Sequence, residues 1–235
     1  MTNHSPQSSL RNRAFTLIEM LVVVAIIVLL LVFSQPALSR TLMSSKLSGA
    51  GQSLMGAISE AQQLAFANNV PVDIRFFKVP DGFGENEAYR SYQIFKITQV
   101  FEGTGASAVV KEELVPHGNL VNLPENILIV DSEELSPALS GEGLPDVREN
   151  SSTGYSGVED ATFNAWRFMP DGTCRKVGKS QNNMATLTYQ TLTESFLTIT
   201  SDAGQEITVA NLPKNFFTIQ VDPFTGKARN YKPGF

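Results

Sequence analysis

The chain has 235 residues, of which 42% are hydrophobic and 17% are charged, and its formal net charge is −5. This length and composition suit a folded domain with appendages and exclude a chain that is disordered throughout. The acidic balance argues against general nucleic-acid binding, so we expect no nucleic-acid partner.

Cysteine and histidine are scarce. A lone cysteine, Cys174, cannot form an internal disulfide or a thiolate zinc site of the usual kind. The two histidines, His4 and His117, are far apart in the sequence, and His117 stands in a turn-like Pro-His-Gly stretch without a nucleophile motif. We therefore expect no metal, no cofactor and no enzymatic activity, and we interpret Cys174 as a passive residue near a strand end.

The N-terminal region combines a basic start with an apolar run. Residues 1–14 are polar, with two arginines and no acid, and only Thr16 and Glu19 are polar in the 19 residues of Phe15–Phe33. As a helix this run would be about 28 Å long, close to the hydrocarbon thickness of a bilayer. The pattern predicts a membrane helix with a cytoplasmic N-terminus and an exported remainder.

The run could also be a secretory signal peptide, a plain signal anchor or a buried soluble helix. No small-x-small cleavage site closes the run, and the basic flank with continuous apolarity disfavours a soluble helix. A plain signal anchor would not explain why Glu19 lies within the apolar run. A carboxylate at that depth costs about 2.5–3.5 kcal/mol and usually has a function.

The segment Ala14–Ile27, AFTLIEMLVVVAII, resembles the class III signal of type IV prepilins and type II secretion pseudopilins. The resemblance implies that prepilin peptidase cuts between Ala14 and Phe15 and methylates the new amine of Phe15. It implies that Glu19 pairs with the Phe15 amine of a neighbouring subunit during assembly, and that Pro36 bends the helix. The sequence departs from the family at Ala14, where glycine is usual.

Beyond Pro36 the apolar positions recur at spacings of three to five, as on one face of a helix, from Leu38 to Ala65. Asn68-Asn69 before Val70-Pro71 predicts the end of this helix. One long helix, with a break at Pro36, is therefore expected from Phe15 to about Asn68.

The remainder of the chain has the pattern of strands joined by turns. The predicted strands are Val72–Phe76, Tyr92–Ile97, Ile127–Val130, Phe163–Phe168, Phe196–Thr200, Ile207–Val209 and Phe217–Val221. Pro170-Asp171-Gly172 and Asp222–Gly226 predict turns, and the second predicts a terminal hairpin over Phe217–Asn230. The expected fold class is α+β, a long N-terminal helix packed on an antiparallel sheet in a pilin-like arrangement.

These predictions divide the chain into a leader at 1–14, a transmembrane helix at 15–36, an amphipathic helical half at 37–70 and an exported β-rich domain at 71–235. Within that domain Asp131–Asp160 is rich in acids, prolines and glycines. Its functional interpretation is a calcium site or a partner surface. Because EF-hand spacing is absent, a solvated, mobile loop is the favoured interpretation.

The order of elements also resembles the H-type minor pseudopilins (GspH/FimT-like). The resemblance rests on Glu60–Ala65 leading through Asn68–Val72, on Trp166–Gly172 and on Phe217–Arg229. The chain further resembles the Verru/Chthon cassette D proteins, which carry a pilin signal.

The resemblance implies a minor pilin or pseudopilin in the bacterial inner membrane, with a periplasmic C-terminal domain. Its partners would be prepilin peptidase, other pilins and the inner-membrane assembly platform. The filament system, the cargo and the position in the filament stay open. The alternative is a membrane-anchored exported binding protein or enzyme that never polymerises.

Overall fold

The computed structural model describes residues 15–80, 87–102, 109–141, 144–145, 161–179 and 185–233. Side chains are described there except at 32–40, 100–102, 109–111, 144–145, 179 and 185–186. The chain divides into two compact units, Met1–Leu42 and Met43–Phe235.

The described residues form one long helix, eleven strands and a short 3₁₀ helix. These are α1 (Leu17–Asn68), β1 (Val72–Pro80), β2 (Glu87–Glu102), β3 (Val109–Asn122), β4 (Ile127–Ile129), the 3₁₀ helix Pro137–Leu139, β5 (Leu144–Pro145), β6 (Thr162–Phe168), β7 (Cys174–Lys179), β8 (Ala185–Thr188), β9 (Phe196–Ser201), β10 (Phe216–Val221) and β11 (Ala228–Tyr231). A long helix followed by antiparallel strands confirms the expected α+β class.

The expected C-terminal end of α1 is confirmed at Asn68. Asn69 follows with a left-handed φ of 53°, a conformation that asparagine tolerates and that stops a helix, and Pro71 prevents its continuation. The helix is assigned without interruption through residue 36. The bend expected at Pro36 therefore stays a prediction.

The second half of α1 buries the predicted apolar face. The six buried side chains on this face are at most 3% exposed and recur every three or four residues: Leu47, Ala50, Leu54, Ile58, Ala61 and Ala65. Leu42, which the sequence pattern placed on the same face, is 54% exposed and lies outside the core.

The strands form an antiparallel sheet in the order β11-β10-β9-β4-β2-β1-β6-β7-β8, with β3 paired to β2 and β5 to β6. Alternation along β1 divides its side chains between two faces. Val72, Ile74 and Phe76 belong to the same core cluster as the buried face of α1. Phe77 belongs to a second cluster on the other face.

One glycine explains how closely α1 approaches the sheet. A Cβ at Gly51 would lie 2.6 Å from the ring of Phe217 in β10, which is shorter than any tolerated contact. Position 51 therefore requires glycine, although glycine weakens a helix interior.

The segment after β4 corrects an expectation. Of the acidic region Asp131–Asp160, residues 131–141 and 144–145 are described, and the first part is packed rather than solvated. Ser136, Ala138 and Leu139 are fully buried. The backbone N–H of Thr198 donates to the Ser136 hydroxyl at 3.0 Å, and the side-chain amide of Asn164 donates to the carbonyl of Leu139 at 2.7 Å. Residues 142–143 and 146–160 lie outside the described part.

Two local predictions were wrong. Ile207–Val209 is not a strand: Asn211 accepts hydrogen bonds from the backbone N–H and hydroxyl of Thr208, which closes a turn and leaves Ile207 in a small cluster. His117 lies within strand β3 and not in a turn, since it pairs with Ile94 of β2. The irregularity in this ladder follows His117 and begins at Gly118, which has a φ of 73°.

Candidate assembly segment and charged clusters

The start of α1 holds the two polar residues of the apolar run in a local hydrogen-bonded ring. The backbone N–H and the hydroxyl of Thr16 each donate to Oε2 of Glu19 at 2.9 Å, and the backbone N–H of Glu19 donates to the Thr16 hydroxyl at 3.3 Å. This reciprocal pattern is a capping box, which satisfies N–H groups that a helix start leaves free.

The capping box was missed from the sequence, although Thr16-x-x-Glu19 before an apolar run is its signature. It gives Glu19 a structural role within its own chain besides the assembly role that the resemblance implies.

Of the other site residues predicted from the sequence, Ala14 lies outside the described part. Phe15 is 72% exposed just before the helix, and the side chain of Pro36 is outside the described part.

The large apolar side chains between Phe15 and Leu31 are exposed, by 46% to 83% of their surface. Exposed apolar side chains in such number mark a surface that another apolar phase or partner covers. Among the described residues, no helix is both long and apolar enough to qualify as a membrane span.

A charge cluster, buried except for Glu112, joins β1, β6 and β3. Arg167 donates to both carboxylate oxygens of Asp73, at 2.7 and 3.1 Å, and its third nitrogen lies 3.1 Å from Glu112. Burial disfavours the charged form of Arg167, but the bonds to Asp73 and Glu112 outweigh it and raise the pKa of the guanidinium. Arg75 lies 4.1 Å from the Phe163 ring centre and 3.8 Å from Asp73. Arg167 and Asp73 bind each other through two hydrogen bonds, which fits a structural role.

The sequence predicts no catalytic role for Cys174 or His117. Cys174 is buried, and burial strongly raises the pKa of its thiol, which makes it a poor nucleophile. His117 lies 3.1 Å from Glu60 on α1. Within the described residues, no three His, Cys, Asp or Glu side chains are grouped to hold a metal ion.

Comparison with known proteins identifies the N-terminal segment. The family model of the prokaryotic N-terminal methylation motif matches residues 9–34. The N-terminal segment therefore carries a prepilin-type methylation motif.

No curated protein matches the chain. Among solved structures, the minor pseudopilin EpsH from the type II secretion system of Vibrio cholerae is similar at 13% identity. That match covers 62% of this chain and 94% of that one, with a TM-score of 0.23. A TM-score of this size does not establish a shared fold.

Proposed function

We propose that the protein is a minor pilin or pseudopilin subunit of a type II secretion pseudopilus or a type IV pilus-like filament. Prepilin peptidase removes residues 1–14 and methylates Phe15. The helix over 15–36 anchors the subunit in the inner membrane, with the domain in the periplasm, until the assembly platform adds it to other pilins. The proposal rests above all on the methylation motif at residues 9–34. The sequence resemblance of the β-rich domain to H-type pseudopilins supports the minor-subunit form.

Glu19 is the residue on which assembly would depend. The motif segment exposes apolar side chains on every side, so in a bundle of such helices a carboxylate needs a cationic partner. The amine of Phe15 in a neighbouring subunit would supply that charge. In the single chain the Thr16 bonds hold the carboxylate at the helix start, oriented before a partner arrives.

The capping box permits a substitution that separates the two roles of Glu19. Glutamine at the third helical position also closes a capping box, so Glu19→Gln keeps the helix start but removes the charge. We expect the Glu19→Gln protein to insert in the membrane and to be cleaved normally, yet to be absent from sheared filaments. Glu19→Ala should behave in the same way. Co-purification of the Glu19→Gln subunit with filaments at the wild-type level would refute the charge-pairing role.

The mature N-terminus tests the proposal as a whole. Mass spectrometry of the protein from its native cells should find N-methylated Phe15 as the first residue. An intact Met1, or a cut beyond Ala37, would instead support an anchored protein that does not polymerise.

A further inference from the structure

A cleft lies on the face of the sheet opposite to α1, between β2, β4 and the segment 202–207 that follows β9. Its volume is about 320 Å³, within the range of about 300–1,000 Å³ that is usual for ligand sites. Ile129 of β4 belongs to the core beside α1, so alternation turns its neighbours Leu128 and Val130 to the opposite face. These two side chains and Ile207 form a small apolar cluster that lines the cleft.

Hydrogen bonds hold the loop wall of the cleft in place at both ends. Nη2 of Arg90 in β2 donates to Oδ2 of Asp202 at 2.7 Å, and the backbone N–H of Gly204 donates to Oδ1 of the same carboxylate at 2.8 Å. At the other end, the side-chain amide of Asn211 donates to the carbonyl of Glu206 at 2.8 Å. The wall is therefore formed before a ligand arrives, which lowers the entropic cost of binding.

Arg90 also has a donor that the chain does not use. Its Nε is buried and has no hydrogen-bond partner among the described residues. Buried polar atoms are rarely left unpaired in native proteins, because each one costs stability. A carbonyl oxygen of a ligand in the cleft would supply the acceptor, and a peptide carries one on every residue.

The rim of the cleft is acidic. Glu87 and Glu206 are exposed, and neither has a basic partner in the part of the chain that the structure describes. Two other carboxylates line the cleft, but each of them pairs with a basic side chain. The two free carboxylates repel phosphates and other anions and attract a basic side chain.

We propose that this cleft binds an extended peptide segment of another protein, in which a lysine or arginine stands next to an aliphatic residue. The aliphatic side chain packs on Leu128 and Ile207, and a backbone carbonyl accepts from Arg90. The basic side chain pairs with Glu87 or Glu206.

A different protein suits the cleft better than a second copy of this chain. The chain has a net charge of −5, so two copies repel each other, whereas a basic segment is attracted. The inference goes beyond the proposed function, because it concerns the unit Met43–Phe235 whether or not the chain polymerises.

Selection from a peptide library tests the specificity. An equimolar synthetic hexapeptide library is affinity-selected on the full-length protein in detergent micelles, and the bound peptides are identified by mass spectrometry. We expect peptides with a basic residue beside an aliphatic one to be enriched by about fivefold or more. The double variant Glu87→Lys with Glu206→Lys should instead enrich acidic peptides.

Two tryptophan substitutions form a matched pair. Gln205 is exposed at the mouth of the cleft, so Gln205→Trp should block the cleft and abolish the enrichment. Gln63 is exposed on α1 and does not line the cleft, so Gln63→Trp should leave the enrichment unchanged. Because all the substituted side chains are exposed, the unfolding midpoints should stay within about 2 °C of the wild-type value.

The inference is wrong if the wild-type protein enriches no peptide class, since a water molecule then satisfies Arg90. Enrichment without a basic residue would also overturn it, as would enrichment that survives both Gln205→Trp and the charge reversal. The methylation of Phe15 is measured separately, so failure of the peptide selection leaves the proposed function untouched.

Discussion

Among single residues, Arg167 and Asp73 carry the largest expected energetic consequence. Both lie in the sheet, at 5% and 0% exposure, and their bidentate contact is formed across paired strands. The free-energy cost of burying two charges is offset by their attraction only while both are present. The loss of one charge therefore leaves the burial cost of the other without that offset.

We predict that Arg167→Ala destabilises the domain by about 3–5 kcal/mol, because the buried Asp73 carboxylate then loses its bidentate partner and keeps Arg75, 3.8 Å away. Urea unfolding followed by Trp166 fluorescence measures the change. The double variant Arg167→Met with Asp73→Leu should regain most of the loss. A loss below about 1 kcal/mol for Arg167→Ala would contradict the structural role of the pair.

Cys174 gives a second prediction at this scale. Burial excludes reagents and raises the pKa of the thiol, so the folded protein should not react with a thiol reagent at pH 8. Labelling should follow the unfolding curve in denaturant. Rapid stoichiometric labelling without denaturant would show that the site opens in the native state.

At the scale of elements, two turns interlock. In one, Asp171 accepts from the backbone N–H of Thr173, and in the other Asp222 accepts from that of Phe224. The turns touch where the backbone N–H of Cys174 donates to the carbonyl of Pro223 at 2.8 Å. Gly226 has a φ of 64°, and a Cβ there would lie 2.8 Å from the carbonyl oxygen of Gly172.

Gly226→Ala should therefore cost more than the same change at Gly204. Gly204 has a φ of 67° but open space around it, so its substitution carries backbone strain alone, about 1 kcal/mol. We expect Gly226→Ala to cost about 1–3 kcal/mol beyond that value, because the two turns must separate. Thermal unfolding of the two variants side by side provides the measurement, and equal midpoints would contradict the close contact.

Much of this element structure could be predicted from the sequence. The periodicity of α1, its end at Asn68, the strands β1, β2, β4, β6, β9 and β10, and the terminal hairpin all follow from local pattern and turn chemistry. Strand β3 was not predicted, because Pro116-His117-Gly118 has the local pattern of a turn. In the structure, pairing with β2 continues the strand through this tripeptide. The packing at the start of the acidic region was not predicted, because Ser136 and Leu139 contact β9 and β6, which are distant in the sequence.

The candidate assembly site was only partly predictable. Glu19 could be predicted as a site residue because a carboxylate is unexpected in an apolar run. Its bonds to Thr16 follow from local spacing and could have been predicted. The contact between Glu60 of α1 and His117 of β3 could not, since it requires β3 to lie along α1.

For the whole molecule, acid should be the main solution condition that weakens the fold. Hydrogen bonds lower the pKa of Asp171 through Thr173, of Glu194 through Thr191 and of Asp222 through Phe224. For Asp202, burial opposes ionisation, but bonds from Arg90 and Gly204 outweigh it and lower the pKa.

A pKa lower in the folded than in the unfolded chain stabilises the fold above the unfolded value, which is about 3.9–4.3 for these carboxyl groups. That contribution disappears as the pH falls through the folded values. The unfolding midpoint should therefore change little above pH 5 and fall steeply below about pH 4. The double variant Asp171→Asn with Asp222→Asn keeps both turn acceptors and should show a shallower fall. An unchanged acid profile would rule out these turns as its source.

The row of buried side chains along α1 has a mechanical consequence. Leu47, Leu54, Ile58 and Ala65 lie in succession on the helix face that meets the sheet. A pull along the helix axis would load these contacts together, in shear, and would not peel them apart one at a time. The domain should then resist a pull along the axis of α1 better than a pull across it.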